Sequence, residues 1–273
     1  MNDGSELVSV FATGHDDRPV ELRRRGDTRF VRKYHAGGAE VWEVASALWA
    51  SPFGGGRTPP GLAEPLAWDP DALAFDSEFV EGDVLAGRGS LGRVAELLDE
   101  VAALSADLHD SGAGHAIERN RRASKLLRSL ERKVGADHPV LDALATAAPA
   151  DEELVPNHGD FSPRNILVTD RGLRLIDFDR VQLAGRGRDV AYFGAWCWAT
   201  LWQRGETPTW ELADALVARY LALRPTLTGD SLHLGFHRAA SLVRIATGWS
   251  AFAGDDAALT ALLDEAARQA TGG

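Results

Sequence analysis

The sequence predicts an α+β protein of two unequal lobes, a small β-rich lobe followed by a larger, mainly helical one. Three observations carry this. Short runs of β-forming residues separated by turn residues dominate the first 81 positions. Beyond Gly82 the apolar spacing changes to i, i+3, i+4, the period of an amphipathic helix. Three short apolar runs, Leu154-Val155, Ile166-Leu167-Val168 and Leu173-Arg174-Leu175-Ile176, then appear between Leu154 and Asp179, inside the helical part. The boundary falls at Glu81-Gly82, which divides the chain into 1–81 and 82–273.

Taken in order, Val20 to Arg25 and Arg29 to Tyr34 read as strands joined by the hairpin signal Gly26-Asp27. Ala39 to Ala50 carries Val41, Val44, Ala45 and Leu48 at helical spacing. Ser51 to Pro60, with its glycines and prolines, is a loop. Leu62 to Trp68 and Leu73 to Val80 are two further strands around the turn Asp69-Pro70-Asp71. Leu91 to His109 reads as one long amphipathic helix, and residues 117–134 and 139–148 as two more. Arg119, Arg121 and Arg122 are expected on a solvated face. Ile166 to Val168 and Leu173 to Ile176 form a hairpin about Asp170-Arg171-Gly172. From Val190 the chain is helical, interrupted near Gly205–Thr209 and Gly229-Asp230.

Composition narrows the function. With 45% hydrophobic and 25% charged residues over 273 positions, a packed core is expected and disorder is not. The net charge of −11 argues against nucleic acid or an anionic membrane as partner, because both reward clustered Lys and Arg. The same charge suits a cationic, amine-rich acceptor, although an acidic surface also serves solubility alone. A single cysteine, Cys197, leaves no internal disulfide. No signal peptide is read at the start, and the apolar stretch Val190 to Trp202 is too short for a bilayer, so a cytoplasmic protein is expected.

The chemistry sits in Asn157-His158-Gly159-Asp160-Phe161-Ser162-Pro163-Arg164-Asn165-Ile166-Leu167-Val168, followed by Leu175-Ile176-Asp177-Phe178-Asp179. Phosphoryl transfer requires positioning and charge neutralisation more than covalent chemistry. One carboxylate must orient the acceptor hydroxyl, while a second carboxylate and an amide oxygen hold magnesium, which prefers hard oxygen ligands. Asp160 and Asn165 flank a tight Ser-Pro turn, and the hairpin that follows returns the chain to deliver Asp177 opposite Asn165.

These strings resemble the catalytic and metal loops of the aminoglycoside phosphotransferase and choline kinase-like small-molecule kinases. The resemblance implies a protein-kinase-like fold and transfer of a γ-phosphate from ATP, or GTP, to an alcohol group. It makes Asp160 the catalytic base, Asn165 and Asp177 ligands of Mg2+, and His158 a structural residue hydrogen-bonded near the metal-binding strand. Lys33, in Phe30-Val31-Arg32-Lys33-Tyr34, resembles the lysine that contacts the α- and β-phosphates. Glu43, ahead of Glu40, is its expected partner. Phe75 to Gly82 resembles the hinge, with the Glu78 carbonyl and Val80 N–H meeting an adenine. Asp189 matches an aspartate that caps a helix and braces the catalytic loop. The phosphate-covering loop should lie in Phe11 to Arg18, which has a single glycine, Gly14, and offers Thr13 or His15 as polar groups.

For the acceptor, Asp179 should share a side with Asp177, while Arg244 and Trp249 fall on apolar helical sequence and are candidate contacts. An antibiotic acceptor, aminoglycoside-like or otherwise amine-rich, is favoured over a choline-, homoserine- or sugar-type metabolite. A nucleotide-binding pseudokinase is disfavoured by the presence of Lys33, Asp160, Asn165 and Asp177 together. A protein-directed kinase is disfavoured by the short stretch between Asp179 and Asp189. Either a monomer or a homodimer is compatible with the sequence.

Overall fold

In a computed structural model, residues 4–11, 19–87 and 89–272 are described. The amino-terminal lobe is an antiparallel sheet of β1 (Glu6–Phe11), β2 (Val20–Arg25), β3 (Thr28–Tyr34), β4 (Pro65–Asp69) and β5 (Ala74–Glu78), in spatial order β1-β2-β3-β5-β4. The β2–β3 hairpin closes with Arg25 opposite Thr28, and Gly26 takes φ 58°, a value that suits glycine in a two-residue turn. Helix α1 (Gly38–Trp49) buries Val41, Val44, Ala45 and Leu48, the stripe its spacing marks. Its first residue lies so close to the Trp68 ring that a Cβ at Gly38 would stand 2.2 Å from it. On β3 the alternation sends Arg32 into a buried, two-pronged pair with Asp76 on β5 (2.7 Å each) and turns Lys33 to the opposite face, towards the cleft.

The helical lobe contains β6 (Asp83–Val84), α2 (Leu98–His109), α3 (Ala123–Val134), α4 (Pro139–Ala147), β7 (Leu154–Asn157), β8 (Ile166–Thr169), β9 (Gly172–Leu175), β10 (Gln182–Gly185), α5 (Gly187–Gln203), α6 (Glu211–Leu223), α7 (Leu234–Gly248) and α8 (Asp256–Ala270). Strands β6, β8 and β9 form one small sheet, β7 and β10 another. Helix α5 is apolar on all sides and buried from Val190 through Thr200, as a central helix must be. Trp196 and Trp198 are core residues. No helix among the described residues is long and apolar enough to cross a membrane.

The structure departs from the sequence-based expectations in three places. Regular helix begins at Leu98, not Leu91: Arg93 N–H bonds the Leu85 carbonyl, so its backbone serves a tertiary contact, and Leu97 leaves helical geometry at φ −113°. Helix α3 begins at Ala123. Residues 119–121 run extended beside β10, exchanging Leu183 N–H to Arg119 O and Arg121 N–H to Leu183 O, both 2.8 Å. Arg119 and Arg121 therefore lie at the edge of β10 rather than on a helical face. Strands β6 and β10, two and four residues long, are too brief to announce themselves by alternation.

The chain crosses between lobes where β5 ends and β6 begins, but packing does not follow that division. Phe53 and Leu62, each 1% exposed, are buried with α2 and α5 residues in one core. Leu175 N–H bonds Gly61 O (2.8 Å), and Arg57 Nε meets Asp107 on α2 (3.0 Å). Residues 51–62 thus pack against the helical lobe, in a core that also takes Val44 and Leu48 of α1.

Candidate active site

The loop after β7 is held by buried hydrogen bonds on both sides. Asn157 donates to Val155 O and Ala184 O, pinning β7 to β10. Asp189, in the first turn of α5 and 1% exposed, accepts from the amides of His158 (2.6 Å) and Gly159 (3.0 Å). Burial works to raise its carboxyl, and His109, His158 and the amide bonds overcome this to hold it below the usual range. It ties the loop to α5 through these two amides but does not cap the helix, which starts without a side-chain cap. The loop turns at Gly159 (φ 75°), where a Cβ would stand 2.1 Å from Arg180 O, so only glycine fits.

His158 accepts from Asp160 N–H at Nδ1 (3.3 Å), which leaves Nε2 to donate to Ile176 O (2.9 Å). Its ring packs edge-on to Phe178 at 5.0 Å. The imidazole therefore ties the loop to the segment after β9. Asp160 is 3% exposed. Its Oδ1 accepts from Arg244 Nη2 (2.9 Å) and its Oδ2 from Arg164 Nη2 (2.8 Å). Burial pushes its carboxyl upward, yet the two guanidiniums outweigh burial and hold it far below the ordinary carboxylate range.

Asn165 Nδ2 donates to Asp160 O (2.9 Å), which assigns Oδ1 the role of free acceptor, and Asn165 O receives Ile176 N–H (3.0 Å). Asp177 follows in left-handed geometry (φ 67°), unusual for a residue other than glycine and of the kind found at functional sites. It lies beyond the end of β9, not within a strand. Lys33 Nζ reaches it across 144 positions, 2.6 Å from Asp177 Oδ1 and 2.6 Å from Asp179 Oδ2. Desolvation lowers the Lys33 ammonium and the two carboxylates more than reverse that, so it stays charged. Asp179 occupies a short 3-10 turn rather than a strand, and joins Asp177 through this shared lysine.

Glu43 is exposed and makes no ion pair among the described residues, so the expected Lys33–Glu43 pair is not formed. The Lys33 ammonium is taken by the two aspartates, and Glu40 pairs instead with Arg119 (3.3 Å), whose Nη1 also donates to Asp179 O. At the hinge, Val80 N–H has no partner among the described residues. The Glu78 side chain has a task the sequence did not suggest: it receives Arg174 of β9 at both oxygens (3.0 and 2.6 Å), joining the sheet to the helical lobe. Trp249 packs edge-on to Trp196 (5.9 Å) and stacks on Phe252 (5.6 Å), between the two cores. Arg244, on α7, lies against the loop after β7, with Gly159 O and Asp160 as acceptors. Arg164 was legible only as a letter of the motif, four positions past Asp160. Thr13, Gly14 and His15 lie outside the described residues.

A two-lobed kinase-like architecture, with an aspartate loop facing a lysine from the sheet, defines a class of phosphotransferases. The model of the phosphotransferase enzyme family matches residues 8–229. The chain belongs to that family. Its fold is shared with an aminoglycoside-3'-phosphotransferase of type VIII (21% identity, 86% of this chain and 92% of the other, TM-score 0.59). It is shared likewise with the choline kinase LicA from Streptococcus pneumoniae (13%, 98% and 95%, TM-score 0.65). A spectinomycin phosphotransferase in complex with ADP and spectinomycin aligns at 10% identity over 98% and 92% of the chains, TM-score 0.59. No curated protein matches the sequence.

Proposed function

We propose that the protein transfers the γ-phosphate of ATP, or GTP, to a hydroxyl of a small molecule, with Asp160 as the group that orients and deprotonates the acceptor. The observation that carries this is the convergence of Lys33 from the sheet on Asp177, in strained left-handed geometry, beside an ionised and almost fully buried Asp160. Nothing in packing requires three charged groups from three segments to meet at a cleft. Phosphate binding and proton acceptance do.

Lys33 would exchange part of its hold on Asp177 and Asp179 for phosphate oxygens, and the Val80 N–H and Glu78 carbonyl would take the base edge. Asn165 Oδ1 and the second Asp177 oxygen suit Mg2+, being hard donors. No group of three or more His, Cys, Asp or Glu among the described residues forms a cage of its own, so phosphate oxygens would complete the ligand set. Magnesium held there supplies charge neutralisation at the transferring phosphate. Asp160 aligns the acceptor hydroxyl. As its oxygen bonds to the γ-phosphorus, the bond to the bridging oxygen breaks, the proton passes to Asp160, and ADP leaves. The relatives are named for aminoglycosides, spectinomycin and choline. What supports an alcohol acceptor is thus broader than any one substrate, antibiotic or metabolic.

A coupled ADP-release assay over hydroxyl acceptors tests the reading. Asp160→Asn should lower kcat by about 10²–10⁴ and leave ATP-linked thermal stabilisation intact. Asp177→Ala should instead abolish the magnesium-dependent part of that stabilisation. Full turnover in Asp160→Asn would refute the assignment.

A further inference from the structure

The protein carries a net charge of −11, yet the neighbours of the Asp160 loop on the helical-lobe side are cations. Arg244 bonds Asp160 Oδ1 and lies 4.3 Å over the Tyr192 ring, while Arg164 takes Oδ2. Around them stand Arg121, Lys133, Arg180 and Arg188, close enough to act on one another or on Arg244 electrostatically. None of these four has a carboxylate partner among the described residues. Lys133 Nζ reaches only the Thr247 hydroxyl, at 3.5 Å. Arg188 Nη1 is buried with no hydrogen-bond partner among the described residues, and the side chain lines a small cavity with Gly159, Tyr192, His237 and Arg244.

The buried or half-buried arginines elsewhere that tie elements together have carboxylate partners: Arg32 with Asp76, Arg174 with Glu78, Arg186 with Glu153 and Asp110. The acids nearest Arg188 are already committed, Asp189 to the His158 and Gly159 amides and Glu152 to His237 and the Ala123 amide. Burial first, then the neighbouring cations, lower the Arg121, Lys133 and Arg188 groups, with Arg188 brought down to about 10. A guanidinium nitrogen buried without an acceptor, as at Arg188 Nη1, is unfavourable unless an anion completes it.

We infer that the acceptor is a small hydroxy compound bearing an oxyanion, carboxylate or phosphate, held by Arg121, Lys133, Arg188 and Arg244. This rests on the phosphotransferase reading above and replaces the amine-rich acceptor that net charge suggested. The oxyanion draws Arg244 from Asp160 Oδ1. That oxygen becomes free for the acceptor hydroxyl. An amine-rich acceptor would meet like charge and leave Arg244 in place.

The test is ADP release with Mg-ATP on matched pairs: hydroxy acids against their amides, sugar phosphates against the parent sugars, with an aminoglycoside and choline alongside. Turnover favouring the anionic member by about 100-fold in kcat/KM is expected, since two charge-assisted contacts are at stake. The two kinds of pair separate carboxylate from phosphate. Equal or better turnover of uncharged or cationic acceptors overturns the proposal while upholding the kinase. Arg121→Gln and Lys133→Gln, both at the solvent side, should raise the acceptor KM about tenfold, with the ATP KM unchanged and Arg121→Lys restoring much of the loss. If no acceptor turns over, the phosphotransfer reading falls, and the anion site is judged by thermal shift with inorganic phosphate and with malonate. Stabilisation lost in Arg121→Gln or Arg188→Gln then supports the site, and no stabilisation of the unaltered protein refutes it.

Discussion

Asp160 shows how far one residue's chemistry depends on its immediate partners. Burial alone would make its carboxyl a weak acid, but Arg244 and Arg164 hold it ionised far below the ordinary range. The Lys33 ammonium is displaced the other way and stays charged. Both groups therefore keep their working charge across the neutral range. The rate profile of kcat/KM should show no acid limb from Asp160 above about pH 4 and no alkaline limb from Lys33 below about pH 10. Rates measured on protein verified as folded at each pH check this, and an ionisation near pH 5–6 that controls turnover would contradict the role of the two arginines. The sequence named Asp160, Asn165 and Asp177, because all three lie within one strand–turn–hairpin whose spacing is local. It left Arg164 unassigned, since an arginine in a turn has no periodic signal and only the fold shows which carboxylate it meets.

At the scale of elements, α5 and α7 hold the loop in place. Asp189 presents its carboxylate from the first turn of α5 to two buried amides. Asp189→Ala would leave both donors unmet, at about 1–3 kcal/mol each, so a loss near 3 kcal/mol in urea unfolding is expected. From α7, His237 donates at Nε2 to Glu152 (3.1 Å), which also accepts from Ala123 N–H at the start of α3. Burial lowers the imidazole. For Glu152, burial raises the carboxyl but His237 more than offsets it. Both groups thus bind fewer protons folded than unfolded, so their contribution is present above the unfolded values and lost on acidification. The His237 part should fade as pH falls below its usual 6.5 and the Glu152 part below its usual 4.5. Melting temperatures between pH 7.5 and 5.5 should fall, and fall less in His237→Gln. The Lys33 partner was misread at this scale: the sequence shows that α1 carries Glu40 and Glu43, but not which face of the helix meets β3.

For the whole molecule, the lobes are joined by more than the hinge. Phe53 and Leu62 lie within the first 81 residues yet fill the core of the helical lobe, and Arg174 on β9 grips Glu78 at the end of β5. A fragment of residues 82–273 would expose that cavity, losing the two large apolar side chains contributed from the loop. It should lack a cooperative melt, whereas 51–273 should regain one; circular dichroism on both fragments decides. Two buried apolar side chains of this size contribute about 2–5 kcal/mol each, comparable with the stability of many domains.

What the sequence by itself carried is the two-lobed α+β arrangement, written in short-range periodicity, and the loop from His158 to Asp177, whose fixed spacing carries the resemblance to small-molecule kinases. The tertiary structure alone decided what those residues face. Lys33 meets Asp177 across 144 positions, and Arg121, Lys133, Arg180, Arg188 and Arg244 gather from segments scattered over more than a hundred. Net charge sums every side chain without regard to place, whereas fields in a cleft are set by the few charges that line it, and packing of α5 and α7 brings Arg188 and Arg244 beside the Asp160 loop.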